Sequence, residues 1–179
     1  MRVGVVGGHS IFGIGTKEEM QIFFEAIRKY VQIHDPYTDY DVILDRLYKR
    51  YLRLEDLKKA AALLNRINDA FYKIIIPDEY IDFALRNERI TSFKIKSNNL
   101  AEFFASYIKT IQAAIDSAIH CYESSKADGE ALYQKVMICH SDVVPSTIDE
   151  MRPNEMYDNL EGDPYWMRES KVDWDTSKK

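Results

Sequence analysis

Four histidines, His9, His34, His120 and His140, and two cysteines, Cys121 and Cys139, are the residues here best suited to hold a transition metal, abstract a proton or attack a carbonyl. Their spacing argues against all three uses. His120-Cys121 and Cys139-His140 form a mirrored pair of neighbours. Adjacent residues point about 100° apart on a helix and to opposite faces of a strand, so neither pair converges on one ion. The sequence has no Cys-x₂-Cys spacing of the structural zinc kind. A Cys139, His140, Asp142 triad would ask three near neighbours to meet at one reacting atom, whereas such triads are assembled in space from distant parts of a chain. Buried cysteine is the ordinary reading.

Carboxylate pairs and clustered glycines fare no better as catalytic signals. Glu18-Glu19 and Glu55-Asp56 open two helical patterns, where acids complement the helix dipole and cap unbonded amides; Asp149-Glu150 lies in an irregular stretch. Five of the seven glycines fall between Gly4 and Gly15. Gly8 and Gly13 have the spacing of a phosphate-binding loop, but Ile14-Gly15 follows where Lys-Ser/Thr is needed. After Gly13-Ile14-Gly15 the dinucleotide fingerprint wants a glycine at the position of Glu18, and no strand–helix alternation follows. The residues therefore predict no catalytic site, no cofactor and no metal.

The strongest chemical signal is one of recognition. Residues 141–175 carry ten acidic side chains against three basic ones, in a chain of net charge −5. The same stretch holds both tryptophans. Acids interleaved with large aromatics suit the capture of a basic partner, the charge steering the encounter and the rings anchoring it. Asp149, Glu150, Glu155, Tyr157, Asp158, Glu161, Asp163, Tyr165, Trp166 and Trp174 are the candidate contact residues. Disordered tails are poor in aromatics, so docking of this stretch on the protein's own core stands beside partner binding as a reading. A sequence pI near 5.4 argues against nucleic acid as a direct ligand.

The elements that must position these groups read as one α+β domain over residues 1–140, with 141–179 as an acidic aromatic extension that wraps it or meets a partner. A hairpin is expected from strands at 2–6 and 9–14 joined at Gly7-Gly8. Thr16-Lys17-Glu18-Glu19 is a capping box for a first helix, whose stripe of Met20, Phe23, Phe24, Ile27, Tyr30 and Val31 ends before His34-Asp35-Pro36. Helices follow over 39–52 and 55–74, the latter stopped by Pro77. Residues 79–85 suit a helical turn and 89–95 alternate like a strand. Asn98 or Asn99 caps a long helix to about 125, and 132–139 reads as a buried strand able to pair with the hairpin. Helices on one face of a small, mostly antiparallel sheet result. The amino terminus is too short and glycine-broken for a signal peptide and no stretch approaches a membrane span, so the expectation is a cytoplasmic protein.

The run Val3-Gly4-Val5-Val6-Gly7, then Phe12-Gly13-Ile14-Gly15-Thr16, Phe23-Phe24 with Ile27, Leu44-Asp45-Arg46-Leu47-Tyr48, Tyr51-Leu52 and Leu54-Glu55-Asp56-Leu57 resembles small bacterial immunity proteins. These are antidotes encoded beside polymorphic toxins, including those of contact-dependent growth inhibition. The resemblance covers residues 3–75. It implies a non-enzymatic cytoplasmic protein that binds one toxin domain tightly. A nuclease toxin would fit the acidic surface, since a cleft that holds phosphate must be basic. Two other classes stay open on the residues alone: a small hydrolase or transferase, and an adaptor subunit of another assembly.

Overall fold

The computed structural model describes residues 2–129, 135–140 and 160–167. They form an α+β fold. The hairpin consists of β1 (Arg2–Gly7) and β2 (Ser10–Thr16), and β3 (Met137–His140) pairs antiparallel along the other side of β1, in the order β2-β1-β3. The strand expected at 132–139 begins at Met137 among the described residues, with Val136 bridged to Leu52.

The turn sits one residue later than the sequence suggested. Gly7 pairs with Ser10, so Gly8 and His9 are the turn residues, and Gly8 takes φ +59, the positive value a tight hairpin needs at its first position. Gly7 is glycine for another reason. A Cβ there would lie 2.0 Å from the Ala114 carbonyl oxygen, so its absence lets β1 press against the long helix.

Five helices build the other layer: α1 (Lys17–Tyr30), α2 (Leu57–Phe71), α3 (Asp78–Arg86), α4 (Leu100–Phe103) and α5 (Ala105–Ala127). The capping box forms as its residues require: the Glu19 amide donates to Thr16 Oγ1 at 3.2 Å and the Thr16 amide to Glu19 Oε2 at 2.7 Å. Asn99 caps α4, accepting from the Glu102 amide. The single long helix expected from residue 98 or 99 is broken at Phe104. Phe103 and Phe104 are both fully buried, and a continuous helix would send two consecutive side chains about 100° apart. Phe103 meets Tyr80 and Phe93, and Phe104 meets both of these together with Phe23 and Phe71.

Two other expectations change. The helix predicted for 39–52 forms over residues 41–49, and its middle, Val42–Leu47, is wound wide, so that the Tyr48 amide reaches back to the Ile43 carbonyl. Val42, Ile43, Leu44 and Leu47 are all buried, and three consecutive inward residues do not fit one stripe of a 3.6-residue period. Leu52 then leaves helical geometry and exchanges backbone hydrogen bonds with Val136. The alternating residues 89–95 form no strand. Phe93 enters the aromatic core, and the Ser92 amide donates to the Glu19 carboxylate at 2.5 Å instead of to a neighbouring strand.

Among the described residues the larger of two hydrophobic clusters joins sheet and helices, and it takes in Trp166, so residues 160–167 pack onto the domain that precedes them.

Candidate functional site

The acidic segment enters the described fold at residues 160–167. Gly162 turns it with φ +77, and Pro164 accepts from the Met167 amide at the start of a short helical turn, Tyr165–Met167. Three cations of the scaffold grip its backbone. Lys49 Nζ donates to the Leu160 carbonyl at 2.7 Å, Arg50 Nη2 to that of Glu161 at 2.6 Å, and Lys17 Nζ to that of Met167 at 3.1 Å. Each is a charge-assisted bond, stronger than its neutral counterpart.

The Trp166 indole lies nearly parallel to Phe24 and edge-on to Tyr48, with its Nε1–H donating to the Tyr48 carbonyl at 2.8 Å. The Arg28 guanidinium lies over the Tyr48 ring, 4.4 Å from its centre. Trp166 is only 1% exposed. This corrects its assignment as a partner-facing anchor. A segment poor in aliphatic residues docks through one large ring whose single polar atom is satisfied, and here that ring belongs to the protein's own core. Glu161 and Asp163, on either side of Gly162, are exposed. Tyr165 contributes backbone to the helical turn. Asp149, Glu150, Glu155, Tyr157, Asp158 and Trp174 lie outside the described residues.

No family model, curated protein or solved structure matches this chain.

The side chains that could do covalent or metal chemistry are placed as follows. Cys139 and His140 are buried on β3, paired with Gly4 and Val3. Burial pushes the Cys139 thiol up to about 11, so it stays protonated at neutral pH and is a poor nucleophile. Among the described residues no three His, Cys, Asp or Glu side chains are placed to share a metal ion. Of the carboxylate pairs, Glu19 caps α1 and Asp56 accepts from the Arg53 amide at 2.9 Å.

Glu19 does more than its motif announced. Besides the cap it accepts from Thr91 Oγ1 at 3.0 Å, from the Ser92 amide and from Ser92 Oγ at 2.9 Å. It is 1% exposed, and burial, followed by this carboxylate's charge, pushes the neighbouring Tyr107 phenol well above its ordinary range. The sequence signalled only the local half of this network.

Sequence reasoning also missed a cleft of about 330 Å³ where the chain following α1 meets the last turns of α2. Asp35 accepts there from Arg66 Nε at 2.7 Å and Tyr40 Oη at 2.9 Å. The guanidinium first, then the hydroxyl, holds its carboxyl down at about 2. The two chain stretches that line the cleft also carry Ile33, Tyr37, Tyr72 and Ile75, large apolar side chains left exposed, Tyr37 completely. The only hint in the sequence was the stop of the first apolar stripe at His34-Asp35-Pro36.

Proposed function

We propose that this chain is an immunity-type protein that neutralises a secreted toxin domain by binding it. The reading rests on one observation above all: residues 160–167 of the acidic segment are locked onto the scaffold by Trp166, Lys17, Lys49 and Arg50, while Glu161 and Asp163 stay at the surface. A recognition segment held in one geometry costs less entropy to bind than a loose one. The residues that resemble immunity proteins, 3–75, supply Lys17, Phe24, Tyr48, Lys49 and Arg50, which receive the segment. A basic nuclease domain is the toxin whose surface complements it best, because phosphate-holding clefts concentrate Lys and Arg. Among the described residues no helix is long and apolar enough to cross a membrane, in keeping with action in the cytoplasm.

The test is to produce the toxin domain encoded beside this gene with and without the protein. Growth should be rescued and a stable complex should co-purify. The double variant Glu161→Lys, Asp163→Lys should associate about tenfold or more slowly at low salt, with the difference shrinking as salt rises, since exposed charges are screened over about 8 Å at physiological ionic strength. Failure to rescue or to bind any such neighbour, or turnover of a substrate by the purified chain, would remove the reading.

A further inference from the structure

We propose that residues 85–96, the end of α3 and the loop after it, are a second interaction surface, a dock for an acidic peptide segment that carries apolar side chains and belongs to a protein partner. Glu19 fixes the loop: its carboxylate binds Thr91 and Ser92, and Phe93 fills the aromatic core, while the charged side chains on either side of these anchors stay exposed. Residues 86–96 carry four basic side chains, Arg86, Arg89, Lys94 and Lys96, all exposed, against one acidic, Glu88. Leu85, Arg86, Arg89 and Ile90 help to line a concavity of about 360 Å³, in which Leu85 and Ile90 leave half their surface in water, 54% and 51% exposed.

Three features choose the occupant. The positive charge of the loop, on a chain of net charge −5, calls for carboxylates, which two guanidiniums one turn apart can hold bidentately. The aliphatic walls call for an apolar side chain between those carboxylates. Glu88 in the concavity and the negative charge of the whole protein both disfavour a dense array of phosphates, whether nucleic acid or an anionic membrane. Because Glu19 fixes the loop beforehand, docking has little ordering cost.

The surface can be tested with the full-length protein and fluorescein-labelled poly(Glu,Tyr), an acidic copolymer with aromatic side chains, by anisotropy. The protein should bind it at least tenfold more tightly than labelled polyglutamate, poly(U) or phosphatidylserine vesicles. The exposed double variant Arg86→Glu, Arg89→Glu should lose at least tenfold in affinity, Ile90→Ser should lose the preference over polyglutamate, and Glu88→Gln should bind more tightly. Circular dichroism of each variant should match wild type, since none of these side chains is in the core. No binding by the wild type, equal binding by wild type and the double variant, or a preference for poly(U) or vesicles would overturn the proposal.

Discussion

At the scale of single residues, the fold leans on side chains that serve two elements at once. Trp166 packs against Phe24 and Tyr48 and donates to a backbone carbonyl more than a hundred positions earlier in the chain. Trp166→Ala should lower unfolding stability by about 3–5 kcal/mol, the usual cost of emptying a large aromatic site. Trp166→Phe should cost less, but more than nothing, because the Tyr48 carbonyl loses a donor worth about 1 kcal/mol. Urea denaturation of the two variants checks the order; equal stability of Trp166→Ala and wild type would mean the ring is not held in solution. Asp35 makes a pH statement. Its folded value, about 2, lies below that of an unfolded carboxyl, about 3.9, so its stabilising contribution is present above the higher value and is lost as pH falls through the lower one. Wild type should therefore be more stable than Asp35→Asn at pH 6, and the gap should close as the solution is acidified from about pH 4 toward pH 2. A gap that persists unchanged across that window would show that the Arg66 contact does not depend on the charge of Asp35.

At the scale of elements, what was legible in the sequence was whatever is decided locally. The capping box at Thr16 and Glu19, the cap at Asn99 and the stripes of α1 and α2 are written in neighbouring residues, and they form as read. The misreadings share a different cause. The turn moved from Gly7-Gly8 to Gly8-His9 because Gly7 is needed against Ala114, a contact no hairpin rule contains. Residues 89–95 alternate like a strand but form none, and a buried carboxylate from α1 takes the Ser92 amide. The helix read over 39–52 stops short of its expected end, at residue 49, because Leu52 is claimed by Val136. For the candidate site the limit was the same: composition marked the acidic segment, but only the Phe24–Tyr48 surface decides that Trp166 turns inward. Strand β1, paired on both sides, should hold the slowest-exchanging amides of the sheet, with those of Ser10 to Gly13 on the edge strand β2 exchanging sooner. Hydrogen exchange read residue by residue checks this, and equal protection in both strands would argue that the free side of β2 is covered in solution.

At the scale of the whole molecule, the boundary between scaffold and extension matters most. Composition suggested that a chain cut after His140 would be a soluble domain with most of its helical signal. Among the described residues the five α-helices all lie before that point, so the far-ultraviolet spectrum of such a truncation should stay strongly helical. Its denaturation midpoint, however, should fall at least as far as that of Trp166→Ala, since the cut removes the indole together with the carbonyls that Lys17, Lys49 and Arg50 bind. A truncation as stable as the full chain would return residues 160–167 to the role of a loose appendage.

The strand order β2-β1-β3 also sets a timetable for synthesis. Of the three strands the earliest in the sequence, β1, becomes the middle of the sheet, and it waits for residues 137–140 before its second edge is paired. Until then Val3, Val5 and Val6 present an open, apolar edge of the kind that pairs with other nascent chains. At about 5–20 residues per second the wait lasts several seconds at least. A translation product that stalls within α5 would keep that edge open for good. Only a polypeptide made past residue 167 has both closed the sheet and seated Trp166, so the surface proposed to meet the toxin is assembled after the rest of the described fold.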